Sequence, residues 1–439
     1  MSGEDGSPEA SAPRRPEAAS GAAATQQQSL SLTQDAWRRF RRRRSSVIAM
    51  STLAAVVVLS VLTPLLPLQP PDRDQTKQKF APPTASPLWL ETFELDLEQI
   101  DKLAAQLPEK REAQRAAAAA LAQTRREKTA VLESDAADKA AKDAAEEAIN
   151  DAFRASSQAR AAVSNLVQSA YADAGFPKLG PVARWMVRTR YAVFGGYELN
   201  SLCGRDKLGR DILSRIFWGS RISLIVGVVA TLVSLVIGVT YGAVSGYAGG
   251  WIDNLMMRIV DVLYSIPFIF VVIFLISVLT EDEVREVLEQ YGVDRITVFY
   301  LVVGAIYWLT MARVVRGQVL SLKNELFVEA ALSMGVSQRG IIFRHIVPNL
   351  FSIVIVYLTL TIPRVILFEA FLSFLGLGVE APDVSWGLLA DQGIKVITPV
   401  KIYWWLILFP SVAIGVTLFA LNFLGDGLRD AFDPKLKNQ

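Results

Sequence analysis

The sequence predicts an all-α membrane protein with about six transmembrane helices. Hydrophobic residues make up 51% of the 439 positions, and they are concentrated in separate runs instead of being spread over one soluble core. A run of about 20 apolar residues can cross the hydrocarbon layer, and a helix satisfies the backbone groups there. The predicted spans lie near residues 47–68, 222–244, 259–279, 296–315, 350–372 and 403–424.

A basic cluster orients the first span. Residues 1–36 are rich in Ser, Ala, Pro and Gly, and we expect a disordered tail there. The sequence WRRFRRRR, Trp37 to Arg44, directly precedes the span, so 37–68 is predicted to be a basic anchor with the first helix. Such clusters favour the cytoplasmic side, which places the N-terminus inside. An even number of spans returns the tail 427–439 to the cytoplasm. Nucleic-acid binding is disfavoured, because the net charge is only +2.

Residues 69–214 form a predicted external region with a helical hairpin at about 95–173. Its sequence is rich in Ala, Glu, Lys and Arg, which favour helix, and no Pro or Gly occurs between residues 109 and 172. Small and apolar residues recur at three- and four-residue steps, so we expect two helices joined near Ser134 and Asp135. One long solvated helix or a partly disordered spacer are the alternatives. Composition alone assigns this region no function.

The sequence lacks the common motifs of catalysis. It contains no GxxxxGK[ST] phosphate loop, no HExxH and no GxSxG. Cys203 is the only cysteine and His345 the only histidine, which excludes an internal disulfide and disfavours a metal site. We therefore expect a chain that is not an enzyme by itself and binds no metal or cofactor.

Three ionisable residues lie within or beside predicted spans. Asp261 stands at the start of the third span, and Arg364 and Glu369 lie in the fifth. Charge inside a bilayer is costly and usually faces a cavity or a partner, so these residues are candidates for a translocation path or gate. A structural ion pair, or side chains that reach the interface, is the alternative.

The predicted core of five spans, 215–426, is interrupted by a polar segment at about 317–349. It contains helix formers up to Met334, then Gly335, which suits a helix end, and Pro348, which marks the start of the next span. The result would be two short helices beneath the membrane. One apolar stripe at helical spacing could fit a groove on another protein or pack against the chain's own spans. It comprises Leu326, Phe327, Ala330, Ala331 and Met334.

This segment resembles the EAA loop of bacterial ABC importer permeases. The matching residues are Glu329, Ala330, Ala331, Gly335, Ile346 and Pro348, and HIVPN stands where peptide importers typically have HILPN. The stretches GRDKLGRDILSRIFWGSRISLIVG, GYAGGWIDNLMMRIVDVLYSIPF, LSFLGLGVEAPDVSWG and NFLGDGLRDAFDP resemble the C-type subunit of the dipeptide, oligopeptide and nickel group. Two features depart from it: the long insertion between the first two spans, and SLCGRD in place of HPLGTD.

The resemblance implies a type I importer permease of the bacterial inner membrane. Such a subunit pairs with a second homologous permease and two P-loop ATPases, which hold ATP and Mg²⁺, and an external solute-binding protein delivers substrate. The EAA loop docks on an ATPase, and ATP binding then biases alternating access. Di- and oligopeptides are the expected substrates, although nickel is also carried within the group. The implied coupling residues are the six named above with Arg339 and His345, and the external motif contains Asp206, Gly209, Arg210 and Asp211.

Two other functions are compatible with the sequence. An ion-coupled transporter could use Asp261, Arg364 and Glu369 as a proton or ion relay, but the sequence shows no convincing inverted repeat. A membrane-anchored structural or sensory protein could use the external hairpin as its working part.

Overall fold

The computed structural model describes residues 32–84, 89–91, 95–133, 139–279, 281, 284, 288, 295–379 and 383–432. These residues are mostly helical, with two short strands that pair antiparallel. The strands are β1, Trp89–Glu91, and β2, Tyr197–Leu199. The helices before the core are α1 Leu32–Arg42, α2 Arg44–Leu62, α3 Leu97–Ala105, α4 Leu107–Glu133, α5 Lys139–Asp173 and α6 Pro181–Phe194. Those that follow are α7 Ile212–Ala248, α8 Gly250–Ser265, α9 Phe268–Leu279, α10 Arg295–Leu322, α11 Leu326–Ser333, α12 Gln338–Gly340, α13 Val347–Asn349, α14 Phe351–Phe374, α15 Trp386–Ile394 and α16 Trp405–Phe432.

Among the described residues, five helical stretches are long and apolar enough to cross a membrane, and a sixth is present if the bent pair α8 and α9 is one span. The five are Arg44–Leu65, Ile212–Ala248, Thr297–Leu322, Phe351–Phe374 and Trp405–Phe432. The prediction of about six transmembrane helices is therefore confirmed. The location of the termini on one side of the membrane stays a prediction.

The third predicted span, 259–279, is not one straight helix. The axes of α8 and α9 meet at 87°. Ile266, between them, is extended with φ −80° and ψ 125°. Pro267 follows it, and the proline ring disfavours the helical conformation in the preceding residue. The bend therefore has a local cause in the sequence.

The basic N-terminal segment is folded where it meets α16. Helix α1 begins at Leu32, so the expectation of disorder up to residue 36 was wrong for its last five positions. Ala36 and Phe40 are buried against Ala431 of α16, and Arg43 forms an ion pair with Asp430. This burial holds the start of the first span against the end of the last one.

Two long helices stand between the first and second spans. Helices α4 and α5 pack along each other, and α3 contacts both of them. The predicted turn at Ser134 and Asp135 lies outside the described residues. The base of the pair is joined to α7, because Tyr171 packs on Phe176 and Phe176 packs on Trp218. That this pair lies outside the membrane remains a prediction.

Helices α7 and α10 pack closely against each other in the core. A Cβ atom at Gly242 of α7 would lie 2.4 Å from the carbonyl oxygen of Ala312 on α10, and one at Gly238 would lie 2.6 Å from Cβ of Met311. Small residues of this kind let two helix backbones approach closely. Since α10 leads into the segment 326–349, this contact fixes where that segment starts.

Candidate coupling surface and intramembrane polar sites

Helix α11 ends in a tight hydrogen-bonded turn at Gly335. The amide of Gly335 donates to the carbonyl of Leu332 at 2.9 Å, and the amide of Val336 donates to that of Ala331 at 3.1 Å. This is the Schellman arrangement, which requires a left-handed residue just past the helix end. Gly335 has φ 76°, the conformation that the sequence predicted for this position.

The second half of the segment is one continuous helical path. Ser337 caps α12 by accepting a hydrogen bond from the amide of Gly340 at 3.3 Å. A π-helical turn, Ile341–Ile346, follows and leads into α13, whose first turn contains Pro348. Such wider turns occur mostly as short insertions in helices and often mark functional sites. The sequence predicted a second short helix here but not the π-helical turn.

One face of the segment is packed against the spans. Val328, Ala331, Ile341 and Ile346 are buried in a cluster with residues of α10 and α14, such as Val319. Ala331 is only 1% exposed, so for this residue of the stripe the second alternative holds: it packs against the chain's own spans. It lies three residues after Val328, and this spacing puts both side chains on the inner face of α11.

The opposite face of the segment forms an exposed surface of apolar and charged side chains. Leu326 and Met334 are 79% and 74% exposed, and the side chains of Leu332 and Phe343 are also exposed. Phe327 and Ala330, predicted for the same stripe, are exposed as well. Glu329, Arg339 and Arg344 are exposed and form no ion pair with any described residue, and His345 is half-buried. We call this face, Leu326, Phe327, Glu329, Ala330, Leu332, Met334, Arg339, Phe343 and Arg344, the outer patch.

Glu369 lies at a junction of three helices. Its carboxylate accepts hydrogen bonds from Ser373 at 2.8 Å, from Ser385 at 2.7 Å and from Ser223 of α7 at 3.5 Å. The side chain is completely buried. Ser385 caps α15, and Ser223 also accepts a hydrogen bond from the amide of Trp386 at 3.1 Å. Glu369 therefore joins α14 to α7 and to the start of α15.

Asp261 and Arg364 form no hydrogen bond or ion pair with Glu369 among the described residues. Asp261 accepts a hydrogen bond from Arg313 of α10 at 2.8 Å. The side chain of Arg364 is exposed, and its backbone carbonyl accepts a hydrogen bond from the hydroxyl of Tyr307 at 3.3 Å. No ion pair between Arg364 and Glu369 occurs among the described residues. The structural ion pair considered for these two residues is therefore not formed.

The pairing of two arginines of α10 was not predicted from the sequence. Arg313 pairs with Asp261, and its guanidinium lies 4.3 Å from the ring centre of Tyr264. Arg316 donates two hydrogen bonds to the buried carboxylate of Asp253, at 2.7 and 2.6 Å. The signal was present as opposite charges near the ends of neighbouring spans. Sequence spacing could not say which charges pair.

The motif that contains Asp206, Gly209, Arg210 and Asp211 builds a buried charge network at the start of α7. Asp206 accepts hydrogen bonds from Arg210 at 2.8 Å and from Arg215 at 2.7 Å, and Arg210 also reaches Asp72. Burial by itself would raise the pKa of Asp206, but Arg215 and Arg210 outweigh it and hold that pKa below its ordinary value. Arg215 and Asp72 complete the network, and the motif alone did not indicate them.

Gly209 and Asp211 shape the same region. Gly209 has φ 80°, and a Cβ atom there would lie 2.0 Å from the carbonyl oxygen of Gln75. Asp211 caps α7 by accepting a hydrogen bond from the amide of Ser214 at 2.9 Å. The hydroxyl of Ser201, the first residue of the unusual SLCGRD stretch, lies 2.7 Å from the Asp211 carboxylate. Ser201 therefore supports the cap of the second long span.

Comparison with known proteins gives two family matches and several similar permeases. Residues 31–83 match the N-terminal TM domain of oligopeptide transport permease C. Residues 238–438 match the binding-protein-dependent transport system inner membrane component. The two matches leave residues 84–237 uncovered, and these contain α4 and α5.

Three relatives show the breadth of this similarity. The chain is 43% identical to the oligopeptide transport system permease protein OppC of Haemophilus influenzae, over 65% of this chain and 88% of that protein. It is 47% identical to the dipeptide transport system permease protein DppC of Bacillus subtilis, over 53% and 68% of the two chains. It is 41% identical to the glutathione transport system permease protein GsiD of Pectobacterium atrosepticum, over 54% and 73%.

Proposed function

This chain belongs to the oligopeptide and dipeptide permeases of binding-protein-dependent ABC importers, and from that premise we propose that it forms half of a peptide path through the bacterial inner membrane. A second, homologous permease forms the other half. Relatives named for oligopeptide, dipeptide and glutathione transport support a peptide-sized substrate. In this proposal both termini are cytoplasmic.

The two-faced segment 326–349 carries the proposal. Its inner face, with Val328 and Ala331, is buried among residues of the spans, whereas Leu326 and Met334 are largely exposed. An exposed apolar face beside free charges suits a groove on a partner protein. Because the inner face is packed, a partner that moves the outer patch would also move the helices behind it.

The proposed partner of the outer patch is one of the two P-loop ATPase subunits of the importer. ATP and Mg²⁺ act on those subunits, and this chain supplies neither a nucleotide site nor catalytic groups. When the ATPases close on ATP, they shift the equilibrium between the inward-open and outward-open states of the two permeases. An extracytoplasmic binding protein delivers the peptide to the outward-open state.

An ion-coupled mechanism receives no support from the geometry. A relay would need Asp261, Arg364 and Glu369 to face one another, but Asp261 pairs with Arg313 and Glu369 is enclosed by three serines. Among the described residues, no hydrogen bond or ion pair joins any two of the three. We therefore keep ATP-driven import as the single proposed function.

Charge reversal at Glu329 tests the coupling assignment. Glu329→Lys places a cation at the centre of the outer patch and should block uptake while the chain remains in the membrane. We expect peptide uptake in proteoliposomes to be lost, and ATP hydrolysis no longer to rise with peptide-loaded binding protein. Glu109→Lys, a charge reversal at another exposed position, on α4, is the matched control. Uptake at the wild-type rate in Glu329→Lys would refute this role.

A further inference from the structure

The spans expose two chemically different faces. Helix α2 exposes Val57, Val58 and Val61, and α16 exposes Val416 and Phe419. Apolar side chains of this kind suit contact with lipid tails. On α8, α10 and α14, by contrast, the exposed side chains include charged and hydroxyl groups. This second face needs a different neighbour.

The polar face is built along one side of α10. Tyr307, Thr310 and Arg313 follow one another at three-residue spacing, which keeps them on one stripe of the helix. Thr310 lies 3.2 Å from the hydroxyl of Tyr264, and Arg313 pairs with Asp261. The side chains of this ion pair are 42% and 58% exposed. An exposed ion pair among apolar spans is costly beside lipid, so this stripe faces water or protein.

Arg364 adds an unbalanced charge to the same face. It follows Pro363 near the middle of the 24-residue helix α14, and its side chain is exposed. Tyr307 of the polar stripe donates to its backbone carbonyl, which places it beside α10. No acidic side chain pairs with Arg364 in the part of the chain that the structure describes. A guanidinium in this setting is stabilised by water or by an anion, and its planar fork fits a carboxylate.

We propose that this polar face lines the hydrated path and that Arg364 binds the terminal carboxylate of the passing peptide. The inference rests on the proposed function, because it needs a peptide as cargo. It assigns Arg364 to the substrate and Tyr307, Thr310 and Arg313 to the wall of the path. It also separates Glu369 from the path, since that carboxylate is enclosed by Ser223, Ser373 and Ser385.

Labelling of single cysteines tests the location of the path. Cys203 is the only native cysteine; it is 8% exposed, and burial raises the pKa of its thiol to about 12, so background labelling is low. Thr310→Cys should react with a sulfonated, membrane-impermeant thiol reagent in the assembled transporter. Saturating peptide with its binding protein should slow that reaction. Val416→Cys, on the apolar face, is the matched control and should stay unlabelled. An unlabelled Thr310→Cys, or labelling that peptide does not slow, would overturn the placement.

Paired peptides test the carboxylate contact. Import of one peptide as the free acid and as the C-terminal amide is compared in wild type, Arg364→Gln and Arg364→Lys. Loss of one charge-assisted hydrogen bond weakens binding of the carboxylate by roughly tenfold. We therefore expect the ratio of free-acid import to amide import to fall about tenfold in Arg364→Gln. Arg364→Lys should recover part of the ratio, because it keeps the charge.

The outcomes separate this inference from the proposed function. If wild type imports peptide and Arg364→Gln lowers acid and amide equally, the carboxylate contact is refuted and peptide import stands. The same holds if a residue of the second permease covers Arg364, because the ratio then stays unchanged. If the assembled wild-type transporter imports neither peptide, the proposed function itself fails.

Discussion

Replacing Gly335 by alanine isolates the conformation of one residue in the segment 326–349. A Cβ atom there would meet no other atom within 4 Å, so the substitution creates no clash. The remaining cost comes from φ 76°, because a left-handed conformation is unfavourable for an L-residue by about 1–2 kcal/mol. A free-energy cost of this size lowers the ratio of the native turn to open forms by a factor of about 5–30.

Gly317 offers a matched control for this change. It lies within α10, and a Cβ atom there also meets nothing within 4 Å, but its backbone is helical. Alanine is favoured over glycine in a helix by roughly 0.5–1 kcal/mol, so Gly317→Ala should be neutral or stabilising. Gly335→Asn should lie between wild type and Gly335→Ala, since asparagine tolerates the left-handed region better than alanine.

Two assays report on the turn. Trypsin should cut after Arg339 about tenfold faster in Gly335→Ala, measured on the full chain in lipid nanodiscs, because cleavage follows the population of the open segment. In proteoliposomes with the complete transporter, peptide imported per ATP hydrolysed should fall. If cleavage and import in Gly335→Ala both match wild type, or if Gly317→Ala behaves the same way, the reasoning from φ is wrong.

Two further predictions concern buried carboxylates. The pKa of Asp206 lies below its ordinary value of about 3.9, so its stabilising contribution is complete above that pH and is lost as the pH falls through the lower folded-state pKa. Between roughly pH 3 and 6, the unfolding temperature of Asp206→Asn should therefore fall less on acidification than that of the wild type. An equal fall in both proteins would contradict this prediction. Glu369→Gln should lower uptake, because an amide cannot accept from three serines as a carboxylate does; normal uptake would count against that role.

The sequence predicted the spans because length and hydropathy alone determine them. It placed Gly335 for the same kind of reason, since a helix end of this type needs a residue that adopts positive φ. The bend between α8 and α9 also has a local cause, which is Pro267. Hydropathy averaged over a long apolar run does not detect a single proline, so the bend was not predicted. These features depend on neighbours in the chain.

The features that sequence reasoning missed depend on contacts between distant residues. Arg316 of α10 and Asp253 of α8 are 63 positions apart. Their pairing depends on the end of α7 packing against α10 at Gly246, because α8 begins just after that end. The orientation of α11 is a similar case. The sequence pattern places Ala330 and Ala331 on the same stripe of α11. Only the packing of α11 against α10 and α14 shows that Ala331 is the buried residue of the two. Periodicity alone cannot show which side of a short helix has a neighbour.

Helix α7 connects the two ends of the proposed mechanism. Near one end Gly246 lies against Arg316 and Val319 of α10, close to the segment 326–349, and near the other Gly219 lies against Ser385 at the start of α15. Close-packed helices of this kind do not slide past each other without losing many contacts. A displacement of the outer patch would therefore move α7 as a rigid unit. Ser223, which contacts both Glu369 and the amide of Trp386, would deliver that movement to α15. In the proposed mechanism, the buried Glu369 is a joint between moving helices, whereas Arg364, on the exposed face, is the residue that would meet the peptide.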